Sequence, residues 1–89
     1  MSERIQLIQN TVTEALAPTH FDIVDKSAQH AGHAGAKNGG HFDITIVSEK
    51  FAGLSLVKRH QLVYSAVQHL MNTEIHALSI KAYTPQEQP

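Results

Sequence analysis

The chain has 89 residues, of which 42% are hydrophobic and 17% charged, with a formal net charge of -1. This length favours one domain over residues 1–89, and the near-neutral charge excludes a general electrostatic attraction to nucleic acid or to anionic membranes. Cysteine is absent, whereas histidine occurs seven times. The chain therefore supplies no thiolate, and any cluster chemistry must use imidazole nitrogen and take sulfur from another molecule.

Neither a targeting segment nor an enzyme motif is visible. The amino-terminal residues lack an apolar signal stretch, and no run approaches the roughly 18 apolar residues that span a bilayer. We therefore expect a soluble, cytoplasmic protein without membrane contact. The motifs H-E-x-x-H, G-x-S-x-G and G-x-x-x-x-G-K are missing, so we expect that the protein is not an enzyme.

The first quarter of the chain predicts a helix followed by a strand. Apolar residues recur in steps of three and four, as in an amphipathic helix from Glu3 to Leu16. Its predicted inward residues are Ile5, Ile8, Val12, Ala15 and Leu16. Ser2 is the expected N-cap and Pro18 the stop signal. From His20 to Lys26, alternating apolar residues predict a half-buried strand.

A long glycine-rich stretch separates this strand from the next one. Residues Ser27 to Gly40 hold four of the five glycines and no apolar period, which indicates one exposed loop. From His41 to Val47 the residues alternate cleanly, as in a strand with one buried face. We expect the two strands to form a hairpin. Loops of this length in small domains are often functional.

The second half predicts a helix and a last strand. Ser55 is the expected N-cap of a helix that reaches about Met71. Its predicted inward residues are Leu56, Val63, Val67 and Leu70. Residues Ile75 to Tyr83 alternate again and predict a third strand. The order helix-strand-strand-helix-strand indicates a small α+β domain.

Three histidines are candidate metal ligands on residue type and position. His30 and His33 share the glycine-rich loop, where both imidazoles can turn toward a metal, although on spacing alone a solvated polar loop is the better interpretation. His60 lies early in the second helix beside Lys58 and Arg59, whose charges favour the neutral, metal-binding imidazole. The alternative is a surface histidine without a role.

Two further histidines have a structural interpretation. His41 and His76 begin strands, so both are expected to be satisfied residues whose ring nitrogens bond to neighbouring backbone. His20 and His69 carry no signal.

Six short sequence motifs resemble those of the BolA family and occur in the same order. The motifs are His41-Phe42, Ile46-Val47-Ser48, Phe51-x-Gly53, Arg59-His60-x-x-Val63-Tyr64, Ile75-His76-Ala77-Leu78-Ser79-Ile80 and Thr84-Pro85-x-Glu87. Each motif alone is unspecific, but together the motifs follow the family order across half of the chain. The resemblance implies a three-stranded sheet in a fold similar to the class II KH fold.

The resemblance also implies a partner and a cofactor. In similar proteins a monothiol glutaredoxin with glutathione supplies thiolates to a [2Fe-2S] cluster, and the BolA-like partner supplies histidine ligands. Carried over to this chain, the implied ligands are His60, from the Arg-His motif, and His30 in the variable loop, with His33 as the alternative loop ligand. The implied role is cluster trafficking or regulation of iron, redox and stress responses. We expect the isolated chain to be a monomer without a cluster.

Two competing functions remain open. BolA-like proteins are also described as transcriptional regulators, and Lys50, Lys58 and Arg59 near the second helix form a small cationic patch for DNA. The G-x-x-G that KH domains use to clamp nucleic acid is missing after the hairpin. The remaining alternative is regulation of the glutaredoxin without a shared cluster.

Overall fold

The computed structural model describes residues 3–26, 40–71 and 73–87. The predicted N-cap Ser2 and the predicted loop ligands His30 and His33 lie outside these ranges. The elements are helix α1 (Glu3–Leu16), strands β1 (His20–Asp25) and β2 (Gly40–Val47), helix α2 (Leu56–Val67) and strand β3 (Ile75–Tyr83). Short 3-10 helices cover Glu49–Phe51, Gln68–Leu70 and Pro85–Glu87. The predicted α+β order is confirmed.

The strands form one mixed sheet in the order β1-β2-β3. Strand β1 pairs antiparallel with β2, as expected for a hairpin, and β3 pairs parallel with β2. Gly40 lies opposite Ile75, whereas His41 lies opposite Ala77, so His76 is the extra residue at an irregularity. Such bulges locally bend the strand and change the direction of side chains.

Both helices pack against one face of this sheet. The core consists of side chains that recur at helix spacing in α1 and α2 and at alternate positions in the strands. Its largest fully buried members are Phe42, Phe51, Ile8, Leu16, Ile44, Ile46 and Ile75. Among the described residues, no helix is both long enough and apolar enough to cross a bilayer.

Two residues that the sequence predicts to face the core, Leu56 and Ala15, are exposed. Leu56 is 67% exposed, because it occupies the first turn of α2, before the first inward position at Arg59. Ala15 is also exposed. The buried residues of α1 follow steps of four, Ile8, Val12 and Leu16, and leave Ala15 on the flank.

Ser48 joins three elements at the end of β2. Its hydroxyl donates to the Leu16 carbonyl at 2.7 Å and accepts from the Lys50 backbone N–H at 3.1 Å. Its backbone N–H donates to the Tyr83 carbonyl at 2.9 Å. A serine in this buried position therefore fixes α1 and β3 relative to the turn that leads into α2. Ser55 caps α2 by accepting from the Lys58 N–H at 3.2 Å, as predicted.

Candidate functional site

Two imidazole rings pack together at one end of the sheet. The ring centroids of His41 and His76 are 5.1 Å apart, and the ring planes are tilted by 46°. Both side chains are half-buried. The bulge at His76 in β3 brings it next to the first residues of β2. The strand register therefore creates a histidine pair from residues that are 35 positions apart in the sequence.

The His76 ring differs from its predicted state in one respect. Its Nδ1 is buried and makes no hydrogen bond among the described residues. The prediction that backbone groups satisfy this ring is therefore wrong for Nδ1. A neutral imidazole nitrogen is either a donor or an acceptor, and leaving it unpaired in the interior costs about 1–3 kcal/mol. The explanation of an unsatisfied group in a native structure is strain, a redox or catalytic role, or a bound water or ion.

The ends of the segment 27–39 are fixed beside the same histidine pair. The Lys26 N–H donates to the His41 carbonyl at 2.7 Å, and the Gly40 N–H donates to the Glu74 carbonyl at 3.1 Å. Lys26 also forms an ion pair with Asp43 at 3.1 Å. The predicted loop ligands His30 and His33 belong to a segment that leaves and enters the sheet at this end.

His60 lies in a different part of the molecule. It is half-buried on α2 next to Arg59, which donates from Nη1 to the Ala82 carbonyl at 3.1 Å. The beginning of α2 thus lies next to the end of β3. Along β3, Ala82 lies six residues from His76, which corresponds to about 20 Å at a rise of about 3.3 Å per residue. The structure does not bring His60 to the His41–His76 pair.

A fit of this site to an iron-sulfur cluster depends on nitrogen ligands from this chain. Two adjacent imidazoles and an unpartnered buried Nδ1 match the donor type that the composition requires. Within residues 3–26, 40–71 and 73–87, no three His, Cys, Asp or Glu side chains converge on one point to hold a metal ion. The pair therefore suits a cluster whose remaining ligands come from another molecule or from the segment 27–39.

Arg59 is buried, and its side chain makes hydrogen bonds within the fold. Only 7% of the residue is accessible, and its guanidinium donates to the carbonyls of Leu54 and Ala82 and to both carboxylate oxygens of Glu87. The hydrogen bonds from Arg59, and then that from the Thr84 N–H, lower the pKa of Glu87 to about 2. The same Glu87 bonds raise the pKa of Arg59.

This arrangement reduces the predicted DNA patch. Lys50 and Lys58 are exposed, but the third predicted cation, Arg59, directs its guanidinium into the fold. The patch therefore holds two exposed lysines.

The sequence signal for the histidine pair was present but incomplete. The apolar alternation places His41 and His76 near the beginnings of two strands. Their proximity depends on the parallel pairing of β3 with β2 and on the bulge at His76, and neither follows from the period of the apolar residues.

Fold and site define the class of protein. A mixed three-stranded sheet carries two helices on one face, and a histidine pair lies at one end of the strands. The family model described as BolA-like protein matches residues 12–87. The chain belongs to the BolA-like family, and its α+β fold with a three-stranded mixed sheet matches the solved BolA domains it resembles.

Three similar proteins illustrate this membership. Protein BOLA1, chloroplastic, from Arabidopsis thaliana is 42% identical over 93 residues, which cover all of this chain and 58% of that protein. The DNA-binding transcriptional regulator BolA of Escherichia coli is 32% identical, over 90% of this chain and 74% of that protein. The solved BolA domain of SufE1 from Arabidopsis thaliana has a TM-score of 0.86 at 42% identity, with 99% of each chain covered. This chain thus spans less than two thirds of the chloroplast protein.

Proposed function

We propose that this protein binds a monothiol glutaredoxin and completes the ligand set of a [2Fe-2S] cluster shared with that partner and glutathione. The single observation that carries the proposal is the Nδ1 of His76, which is buried beside His41 and has no hydrogen-bond partner in the part of the chain that the structure describes. A chain without cysteine contributes to such a cluster only as a nitrogen donor. Within the cell, the role is delivery of the cluster or a response to iron, redox or stress conditions.

The geometry favours His76 over His60 as the fixed ligand. His76 lies where the segment 27–39 leaves and enters the sheet, so a ligand from that segment, His30 or its alternative His33, needs little reach to share a metal with it. A ligand pair with His60 requires the same segment to extend along α2 toward its beginning. His60 stays a prediction of the family resemblance, and the same experiment tests it.

Nitrogen ligation gives the shared cluster distinct properties. Replacing two thiolates with two neutral imidazoles makes a [2Fe-2S] cluster less negative and raises its reduction potential, as in Rieske centres. The residues of this chain hold the imidazoles in position: the pairing of Ile75 and Ala77 with β2 fixes the bulge at His76, and the ring of His41 packs against the His76 ring. A glutaredoxin pair with thiolate ligands alone is therefore distinguishable from the mixed complex by spectrum and by potential.

Visible absorption and circular dichroism of a cluster-loaded monothiol glutaredoxin, titrated with this protein, test the proposal. The wild type is expected to produce a new spectrum that saturates at one protein per glutaredoxin. His76→Ala and His30→Ala are expected to abolish that spectrum, whereas His20→Ala, an exposed histidine on β1, preserves it. His60→Ala is expected to behave like His20→Ala.

The outcomes separate the ligand assignments. Loss of the new spectrum with His60→Ala, but not with His76→Ala, would restore the ligand pair implied by the resemblance. Loss with His33→Ala instead of His30→Ala would exchange the loop ligand. If the wild type binds the glutaredoxin without changing the spectrum, the protein is a regulator of that partner without a shared cluster.

DNA binding is the second candidate function. The Escherichia coli relative is named a DNA-binding transcriptional regulator, and Lys50 and Lys58 are exposed near the beginning of α2. Two phosphate contacts predict weak binding whose logarithm falls with log salt at a slope of about -2. Fluorescence anisotropy with labelled duplex DNA at several salt concentrations measures this slope. Equal affinity of the wild type and the Lys50→Gln, Lys58→Gln double variant would remove this patch as the contact surface.

A further inference from the structure

Strand β1 forms one edge of the sheet, and β3 forms the other. Within the described ranges, each of these strands therefore has one side without a neighbouring strand. The β3 edge is partly covered, because the side chains of Arg59 and Tyr64 donate to two of its carbonyls. No side chain in the part of the chain that the structure describes bonds to the backbone of Phe21 or Ile23 on β1. An open edge of this kind is a template for the addition of another strand.

The hydrogen bonds to β2 determine which residues of β1 face the open edge. The Lys26 N–H donates at 2.7 Å to the carbonyl of His41, which lies directly opposite it in the strand register. In an antiparallel pair, residues that bond to the neighbouring strand alternate with residues whose backbone groups point away from it. The even-numbered positions of β1 therefore bond to β2. Phe21 and Ile23 direct their N–H and C=O groups to the open edge.

The exposed side chains of β1 carry opposite charges on the two sides of Val24. Asp22, Val24 and Lys26 alternate with residues that pack against the core, and they line one depression on the open face of the sheet. Val24 is 47% exposed. Lys26 forms an ion pair with Asp43, whereas Asp22 has no ion-pair partner among the described residues. A carboxylate thus lies two residues before Val24, and an ammonium group lies two residues after it.

Two copies of β1 in antiparallel orientation match this pattern. A two-fold axis at Val24 places the two valines opposite each other and each Asp22 opposite the Lys26 of the other copy. Because Val24 bonds to β2 within its own copy, the valines form a non-hydrogen-bonded pair, in which side chains lie closest. An axis at Asp22 places two carboxylates opposite each other, which is destabilising, and an axis at Ile23 pairs Asp22 with Val24. The charges of β1 therefore favour one register of self-pairing.

We infer that the β1 edge is a self-association surface, at which two copies of this chain pair their β1 strands about Val24 and form one six-stranded sheet. Charges on an edge strand discourage pairing with unrelated strands, but those of Asp22 and Lys26 complement a second copy. The valine pair excludes water between the two ion pairs, and Ile23 of each copy supplies backbone hydrogen bonds across the edge.

The contact is small, and it does not depend on cluster ligation. Two six-residue strands form a limited surface compared with the roughly 1,200–2,000 Å² of a standard interface, so the dimer is weak. The monomer expected from the sequence is then the form present in dilute solution.

Charge reversal on either side of Val24 tests the surface and its register together. Between identical copies, Asp22→Lys makes both cross-strand contacts repulsive, and Lys26→Asp does the same with the opposite sign. In sedimentation equilibrium from about 10 μM to about 1 mM, we expect dimers of the wild type and at least about tenfold weaker association of each variant alone. In an equimolar mixture of the two variants both contacts are attractive again, so association returns to within about threefold of the wild type. Far-ultraviolet circular dichroism verifies the fold of each variant.

Lys81→Asp supplies the matched control. Lys81 is an exposed residue on β3, away from the β1 edge, so this variant alone is expected to associate within about twofold of the wild type. A mixture of Asp22→Lys with Lys81→Asp has the same net charges as the matched mixture, but one of its two cross-strand contacts stays repulsive. We expect its association to remain at least about fivefold weaker than that of the matched mixture.

Amide hydrogen exchange measured by nuclear magnetic resonance reports on the backbone pairing independently. The Ile23 N–H faces the open edge, so its exchange is expected to slow at least about threefold between about 0.1 and about 1 mM protein. The Val24 N–H bonds to β2 and stays protected at both concentrations. Asp22→Lys alone removes the concentration dependence at Ile23.

Four outcomes would overturn the self-association surface. The first is a wild type that stays monomeric up to about 1 mM. The second is unchanged association of both charge-reversed variants, and the third is failure of their mixture to recover, since each places the contact elsewhere. The fourth is equal recovery in the control mixture, which indicates attraction between net charges and not strand pairing. None of these results changes the expected cluster spectrum, so the ligand proposal is tested separately.

Discussion

Ser48 connects the end of α1 to the turn after β2, and its removal isolates the contribution of that connection to stability. Ser48→Ala deletes a hydrogen bond to the buried Leu16 carbonyl and the cap on the Lys50 N–H. An unsatisfied buried carbonyl costs about 1–3 kcal/mol, and loss of a serine cap typically costs about 1 kcal/mol. We expect a total loss of about 2–4 kcal/mol in the free energy of unfolding.

Urea denaturation followed by circular dichroism measures this loss, with Ser55→Ala as the matched control. Ser55 also caps a helix through its hydroxyl, but it is exposed and donates to no buried carbonyl that the structure describes. Its removal is expected to cost about 1 kcal/mol. In a domain of this size 1 kcal/mol corresponds to about 4–8 °C in Tm, so the two variants are well separated by thermal melting as well. Equal losses in the two variants would refute the assignment of the Leu16 bond as the stronger contribution.

Three further changes test the fold. The pKa of Glu87 is lowered to about 2, so the stability that this group contributes is complete above its ordinary value of 4.5 and is lost as the pH falls toward 2. Thermal melting from pH 6 to pH 2.5 should therefore show a steeper decrease in Tm for the wild type than for Glu87→Gln, and parallel curves would contradict this. Tyr64→Phe removes the hydrogen bond to the Leu78 carbonyl and should lower the unfolding free energy by about 0.5–1.5 kcal/mol in urea titrations, with no change in the circular dichroism spectrum. Ile8→Ala should cost about 2–5 kcal/mol because Ile8 is fully buried, whereas Leu56→Ala should stay within about 0.5 kcal/mol, and a large loss from Leu56→Ala would place this leucine in the core after all.

Element type and order followed from local patterns in the sequence. The apolar period of α1, the alternation in β2 and the cap at Ser55 are each properties of a short segment, and all three were confirmed. Steric preferences and side-chain alternation act over a few residues, so neighbouring residues alone reveal them. The exposure of Leu56 could not be predicted in this way, because a residue in the first turn of a helix is buried only where other elements of the fold pack against it.

The candidate site depended on information that no segment contains. His41 and His76 meet because β3 pairs in parallel with β2 and because one residue is inserted at His76. The inserted residue removes the regular pairing that would have placed His76 opposite Gly40 or His41. Arg59 shows the same limitation: its helical position predicted a solvent-exposed cation, but Glu87, 28 residues later, draws the guanidinium into the fold.

The side chains of α2 also determine how a partner can approach β3. This strand lies at one edge of the sheet, where unpaired backbone groups would invite the addition of a foreign strand. Arg59 occupies the Ala82 carbonyl and Tyr64 occupies the Leu78 carbonyl, so α2 protects the edge at two points. Strand addition to β3 would have to break both bonds, including one made by a buried arginine.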